Sequence, residues 1–472
     1  MSPLLTPFDH PAAFGFVEEE IEITTPNGVL KRKVQVLPPE KVEAGRRYPL
    51  LVFLHGAGER GDDNRSQLKH FPNGFLKSEF RKSHPCFLLA AQCRSGQMWV
   101  KVNWSDAAST PMADEPTEDL AIVIAAVKRL MGREPVDHRA VAVTGLSMGG
   151  FGTWDLAARY PSVFSAAAPI CGGGDERVAG RLVGMPLWAW HGDADQVVPV
   201  ARSRVMVEAL RAQGGSPRYS ELAGVGHNSW SQAYGDPELV PWLLQARQPA
   251  GGYTECLDVL KPPAADGRPT LVVFGDSITE AGDSPVGYLT LLRERFDSWP
   301  EATRPKLINA GISGHRVPDL LGRVERDVLR HEPTVVLVVI GINDVWHRRF
   351  GRETKEPEFT AGLRSLIDQI QAKGSKVMLA TPPLIGERAP GKNELDEPLD
   401  RYATIIRELC VEKGLILCDF RREFLKALEF SNFADRNSGI FTTDGVHMNA
   451  AGYRFMARFA ALAFAQALEN RG

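Results

Sequence analysis

The chain has 472 residues, 43% apolar and 24% charged, with a formal net charge of -3. That length is too great for one ordinary core and comfortable for two, and the composition is that of a globular protein. The near-neutral charge and the lack of a long basic run argue against nucleic acid as a partner, and the longest apolar runs, such as 335–340, fall far short of the ~18 residues a membrane span needs.

The first residues, Met1-Ser2-Pro3-Leu4-Leu5-Thr6-Pro7-Phe8, lack a basic start and a continuous apolar stretch. The sequence as given therefore predicts a cytoplasmic protein, or a secreted or periplasmic one if a signal has been removed. Six cysteines in a chain this long predict buried free thiols, not a disulfide framework. No Cys/His group has zinc spacing, and neither half is expected to need a metal or organic cofactor.

In chain order, residues 21–37 alternate apolar and polar about Pro26-Asn27-Gly28, which predicts a hairpin. Strands are then expected at 48–54, 86–92, 140–145, 186–191 and 218–222, and helices at 118–130, 149–159, 201–213 and 237–246. Short apolar strands between helices predict a parallel sheet covered on both faces. The pattern breaks at 248–270, where Pro and Gly crowd together. A linker is placed at 249–268, between a domain at 1–248 and another at 269–472. A second series follows, with strands at 270–274, 306–309, 334–341, 376–381 and 415–419. Its helices are expected at 288–296, 317–330, 360–373, 397–412 and 450–469. Both halves read as α/β units, and their motifs come in different orders, so they are not repeats.

Gly145-Leu146-Ser147-Met148-Gly149 lies between an expected strand and an expected helix, the context of a nucleophile elbow. Such a turn lifts a serine oxygen above the sheet edge at a helix start, where the dipole favours negative charge. A hydroxyl needs a base at neutral pH. His227 sits in a loop after a strand, where a base belongs, and Asp195 follows the preceding strand, with Asp193 as the rival acid. Ser, Asp, His is the α/β-hydrolase order. The Met148 amide and the Ala57 amide, the latter in the turn His55-Gly56-Ala57-Gly58-Glu59, are the expected oxyanion donors. His55 and His191 read as structural. Trp99, Trp104 and Trp230 lie in expected loops on the site side, as an aromatic wall for substrate or as packing.

Leu54-His55-Gly56-Ala57-Gly58-Glu59-Arg60-Gly61, Gly145-Leu146-Ser147-Met148-Gly149-Gly150 and His191-Gly192-Asp193-Ala194-Asp195 carry a resemblance over about 20–246. This half resembles the phospholipase/carboxylesterase and feruloyl-esterase branch of the α/β-hydrolases. It is also similar to bacterial proteins described as predicted peptidases. The resemblance implies an α/β-hydrolase fold and substrates among acyl-glycerols, acyl-proteins, aryl esters and polysaccharide esters.

The second half holds Gly275-Asp276-Ser277 after a strand, Gly314 in a turn after the next, and Asn343 after the third. The Ser277 amide, the Gly314 amide and the Asn343 side chain can form a three-donor oxyanion hole. Asp444 and His447, three apart before the last helix, fit as orienting acid and base. Asp276 and Asp344 read as structural, and His315 and His347 as rim residues. Trp346, in Trp346-His347-Arg348-Arg349, reads equally as part of a cationic, aromatic lip for substrate or of a solvated loop.

This spread resembles the SGNH branch of the GDSL hydrolases over about 268–472, with the family's Ser, Gly, Asn, Asp and His positions at Ser277, Gly314, Asn343, Asp444 and His447. It implies a flavodoxin-like fold and a shallow, open esterase site. The expectation is a bifunctional serine carboxylic-ester hydrolase with two sites, acting on a small-molecule or polysaccharide ester that carries acetyl and feruloyl or other acyl groups. The alternatives are one catalytic half beside a glycan-recognition half, or a lipase- or peptidase-like first half.

Overall fold

The computed structural model describes residues 6–71, 73–248, 255–262 and 267–469. The chain divides into two compact units, Met1–Ala250 and Gly251–Gly472. Much of the expected linker, at 249–254 and 263–266, lies outside the described residues. Its described part is tied down: Arg295 donates to the carbonyls of Leu257 and Leu260 at 3.1 and 3.0 Å.

The first unit is built on eight strands: β1 (Val17–Thr25), β2 (Gly28–Leu37), β3 (Tyr48–Leu54), β4 (Phe87–Ala91), β5 (Val136–Leu146), β6 (Ala166–Ile170), β7 (Trp188–Gly192) and β8 (Arg218–Leu222). Their order is β1-β2-β4-β3-β5-β6-β7-β8. The expected hairpin forms, with Val17 opposite Val36 and Thr25 opposite Gly28. β2 also runs antiparallel to β4, so the sheet is mixed, and from β4 to β8 every pairing is parallel. Strands β4, β6 and β7 are buried along their whole length, because helices cover both faces. The Glu118–Arg133 helix starts where the Thr117 side chain accepts the Leu120 N–H, with two acids in its first turn.

β6 has no counterpart in the sequence reading. Its Ala-Ala-Ala-Pro-Ile sequence lacks the β-branched run by which a strand is recognised. Burial between β5 and β7 overrides that weak propensity.

In the second unit β9 (Thr270–Gly275), β10 (Lys306–Gly311), β11 (Val335–Val339), β12 (Lys376–Ala380) and β13 (Ile416–Cys418) form a fully parallel sheet, ordered β10-β9-β11-β12-β13. The helix expected at 317–330 is broken into Val317–Leu321, Val324–Asp327 and a 3-10 turn at Leu329–His331. The break falls at Gly322 and Arg323, where the Arg323 side chain turns inward and is 5% exposed. A helix at Phe420–Glu429, capped by the Asp419 side chain, was not expected from the sequence.

All six cysteines are buried and none is joined in a disulfide, as composition implied. Among the described residues no helix is long and apolar enough to cross a membrane.

The elbow is where packing is tightest. A Cβ built on Gly149 would lie 2.0 Å from the Leu54 carbonyl oxygen, and one on Gly145 would lie 2.5 Å from the Gly149 oxygen. These glycines are required by close backbone approach. Gly149→Ala is expected to lower stability by on the order of 1–3 kcal/mol. Gly58→Ala, which meets nothing within 4 Å, serves as the control and should unfold close to the parent midpoint. Thermal unfolding of the two variants checks this.

Candidate active sites

In the first unit β5 runs straight into Ser147, whose backbone sits at φ 53° and ψ -117°. That conformation is strained for a residue with a Cβ. It is held by the Ser147 N–H, which donates to Ile170 O at 2.9 Å. The hydroxyl lies 2.9 Å from His227 Nε2, and His227 Nδ1 lies 2.7 Å from Asp195 Oδ2. The other Asp195 oxygen accepts the N–H groups of Val197 and Val198 at 2.8 and 3.0 Å. Burial alone would raise the Asp195 pKa. Hydrogen bonds from His191, His227 and the two amides outweigh it and hold the carboxyl well below the usual range.

Asp193 does not reach the imidazole. It accepts the Gly224 N–H at 2.7 Å, tethering the loop that leads to His227. His191 is fully buried, 2.7 Å from Ser203 Oγ and 3.3 Å from Asp195. His55 Nε2 accepts the Cys93 N–H at 2.9 Å, and burial pushes its pKa down to about 4. Both therefore act as struts.

Met148 opens the Met148–Arg159 helix and Ala57 opens a 3-10 turn at Ala57–Glu59, so neither amide has an acceptor within its own turn. The two turns touch: a Cβ on Gly56 would lie 2.8 Å from the Leu146 side chain.

The tryptophans separate. Trp99 is fully buried, with its indole N–H donating to His55 O at 3.1 Å, so it is packing and not a substrate wall. It was expected at the site because it lies in a loop, but that loop folds inward. Trp230 is half-buried and stands edge-on to His227, ring centres 5.4 Å apart. Trp104 is half-buried in a loop pinned by Arg159, which donates to Asp114 O at 2.7 Å and Ala113 O at 2.8 Å.

In the second unit β9, β10 and β11 deliver Ser277, Gly314 and Asn343 from their carboxyl ends, where strand order reverses and such sheets gather reactive groups. Ser277 Oγ lies 3.3 Å from His447 Nε2, and His447 Nδ1 lies 2.8 Å from Asp444 Oδ2. Asp444 Oδ1 accepts the N–H groups of Val446 and His447 at 2.9 and 2.8 Å. Burial works to raise the Asp444 pKa, and hydrogen bonds from His447 and the two amides overcome it. Gly314 takes φ +78°, a left-handed backbone that suits glycine. Asn343 is buried and its Nδ2 donates to His315 O at 3.1 Å, which fixes the plane of the amide.

The two sites differ in exposure. The His227 and Asp195 side chains are 20% and 0% exposed, against 52% and 54% for His447 and Asp444. The first is enclosed, and the second is open to solvent. At the rim of the second, Trp346 is half-buried, with the Arg349 guanidinium 4.2 Å from its ring centre. His347 packs edge-on against Phe350.

Arg323 is a residue that motif reading missed. Its guanidinium donates to Gly275 O and Ala310 O, each at 2.8 Å, and to His315 Nδ1 at 2.9 Å. It ties the end of β9, the end of β10 and the residue after Gly314 together. A lone arginine in an expected helix carries no motif; the break at Gly322 was the available signal.

Asp276 and Asp344 are buried. Asp276 accepts the Ile278 N–H at 3.0 Å and Asp344 the Val317 N–H at 3.0 Å. Burial, with the Asp344 carboxyl adding, pushes Asp276 up to about 7, and burial pushes Asp344 up to about 6. Between about pH 4 and about pH 7 the folded chain keeps a proton on Asp276 that the unfolded chain releases. This group's contribution to stability therefore falls as pH rises through that window. Asp276→Asn keeps the cap acceptor and removes the titration. Its unfolding temperature is expected to fall less than the parent's across the window, as followed by calorimetry.

Residues 273–455 match the model of the GDSL-like lipase/acylhydrolase family, and residues 30–217 match that of a putative esterase family. Among curated proteins the chain is 28% identical to an acetylxylan esterase of Geobacillus stearothermophilus over 204 residues, 40% of this chain and 90% of that protein. It is 30% identical to esterase TesA of Pseudomonas aeruginosa over 184 residues, 38% of this chain and 79% of that one. Among solved structures, the acetyl xylan esterase AlAXEase is 38% identical, with a TM-score of 0.40, over 40% of this chain and 97% of that chain. A thermostable esterase is 35% identical, with a TM-score of 0.46, over 50% of this chain and 64% of that chain, so less than two thirds of its length is spanned. The chain thus belongs to the GDSL-like lipase/acylhydrolase family through residues 273–455, joins to it an α/β-hydrolase esterase domain matched at 30–217, and is a serine carboxylic-ester hydrolase.

Proposed function

We propose that each unit runs its own acyl-enzyme cycle and that the pair deacylates one decorated polysaccharide or oligosaccharide. The observation that carries this reading is that a serine, an imidazole and a carboxylate stand in line twice, at 2.9 and 2.7 Å in one unit and 3.3 and 2.8 Å in the other. In each cycle the histidine takes the serine proton as the hydroxyl attacks the ester carbonyl. The amides of Ala57 and Met148 hold the oxyanion in the first site. The amides of Ser277 and Gly314, with the Asn343 side chain, hold it in the second. The histidine then returns the proton to the leaving alcohol, and water, activated by the same histidine, releases the acid.

The openness of Asp444 and His447 suits a small acyl group, such as acetyl, on a bulky chain. Similarity to a protein named acetylxylan esterase supports the same substrate class. The more enclosed Ser147, with Trp230 beside it, suits a larger aromatic acyl such as feruloyl. Tethering would keep one site near the product of the other.

A second reading makes the Ser277 unit a recognition module, on the ground that its serine stands 3.3 Å from the base, against 2.9 Å in the first unit. Catalytic hydrogen bonds often tighten only when substrate binds, so the longer contact leaves the first reading stronger. Fluorophosphonate labelling with peptide mapping is expected to modify both Ser147 and Ser277. Ser147→Ala and Ser277→Ala should each abolish hydrolysis of a different ester, by about 10⁴-fold or more. Loss of all hydrolysis from one substitution alone, with the fold intact, would favour the recognition module.

Arg323→Gln should reduce kcat for Ser277-dependent hydrolysis by about tenfold to a hundredfold with KM near the parent value, because it loosens donors without touching the ester. Arg323→Lys, which lacks the planar fork, should recover little. Steady-state kinetics in a Ser147→Ala background measures both.

A further inference from the structure

We infer that the first site doubles as an inhibitory site for a thiophilic divalent cation such as Zn²⁺ or Cd²⁺, held by Cys171 Sγ, the Asp195 carboxylate and His227 Nδ1. This rests on the reading of Ser147 as a nucleophile only for its consequence. The binding site itself stands on the geometry.

Cys171 follows directly after β6 and takes φ 40°, one of the few non-glycine residues with a left-handed backbone. It is fully buried, and its amide donates to Trp190 O at 2.8 Å. One ligand atom from each of Cys171, Asp195 and His227 lies within 4.8 Å of the other two. Sulfur, imidazole nitrogen and carboxylate oxygen form a donor set suited to a tetrahedral, borderline-soft ion, and unsuited to Mg²⁺ or Ca²⁺. A fourth ligand is at hand. Ser229 is fully buried, and its hydroxyl faces the Cys171 thiol as its side-chain neighbour. Thiolate and carboxylate together balance a dication, so the occupied cluster is neutral inside the fold.

Burial pushes the Cys171 thiol up to about 12, with the neighbouring Ser229 opposing it. The ion must displace the thiol proton. One metal–sulfur bond forms, one S–H bond breaks, and the proton goes to solvent.

The effect on catalysis follows from tautomers. His227 works with its proton on Nδ1, facing Asp195, and its lone pair on Nε2, facing Ser147. An ion on Nδ1 needs that lone pair for itself, so the neutral ring must carry its proton on Nε2. The base then points a donor at the serine. In the serine-protease triad a wrong tautomer of this kind lowers kcat by about 10⁴. Around Ser277 no such group of ligands occurs among the described residues, so the second site is an internal control.

The test uses the full chain. In a Ser277→Ala background, Zn²⁺ set by a metal buffer is expected to abolish aryl-ester hydrolysis, with recovery on EDTA. Adding Cys171→Ala, or Cys171→Ser should the alanine variant fold poorly, should raise the inhibitory concentration at least tenfold. The Ser147→Ala protein should keep its activity at the same Zn²⁺ level. Binding is read separately by the thiolate-to-metal charge-transfer band of added Cd²⁺, present in the parent and lost with Cys171→Ala. A band without any Ser147-dependent activity would sink the nucleophile reading and keep the metal site. Equal inhibition with and without Cys171, or no band in the parent, would overturn the site.

Discussion

A carboxylate held by two consecutive backbone amides is the constraint on which both halves depend. Asp195 is gripped by Val197 and Val198, and Asp444 by Val446 and His447. Each grip leaves one oxygen to face a histidine Nδ1. That single contact decides which ring nitrogen carries the proton, and so whether the other can accept one from a serine. The same grip offsets the cost of burying a charge, most completely at Asp195. Two unrelated stretches of sequence arrive at one device because the physics of orienting an imidazole admits few others.

The halves diverge in how far they enclose that device. In the first unit its members come from the ends of separate strands, and Ser203 links the buried His191 to the Gly172 carbonyl. In the second, acid and base share one short turn ahead of the Ala450–Glu469 helix and lie open to solvent. Its rigidity comes instead from underneath, through the Arg323 guanidinium, which also stacks 4.4 Å from the Phe274 ring centre.

Much of this was legible in the chain. Gly145 to Gly149 announced the elbow, and Gly275-Asp276-Ser277 with Asp444 and His447 announced the second grouping of serine, imidazole and carboxylate, because these residues fall at a strand end and in one short turn. Helices with strong periodicity and clear caps, such as Glu118–Arg133, were legible too. What escaped was whatever depends on contacts distant in sequence. β6 is a strand because of its neighbours and not its alanines. Trp99 turns inward because a carbonyl waits there for its N–H. Arg323 breaks a helix because two strand ends offer it carbonyls. Cys171 meets Asp195 and His227 only in the fold, so no spacing rule flags the three together.

The Leu54 carbonyl nearly touches Gly149, and the residue after Leu54 begins the turn that bears Ala57. Main-chain contact therefore sets the spacing between the turn that bears Ser147 and the turn that bears Ala57. A Cβ at Gly149 would force the Leu54 carbonyl aside. Sequence variation in this half is thereby channelled away from these two turns and into the surrounding loops.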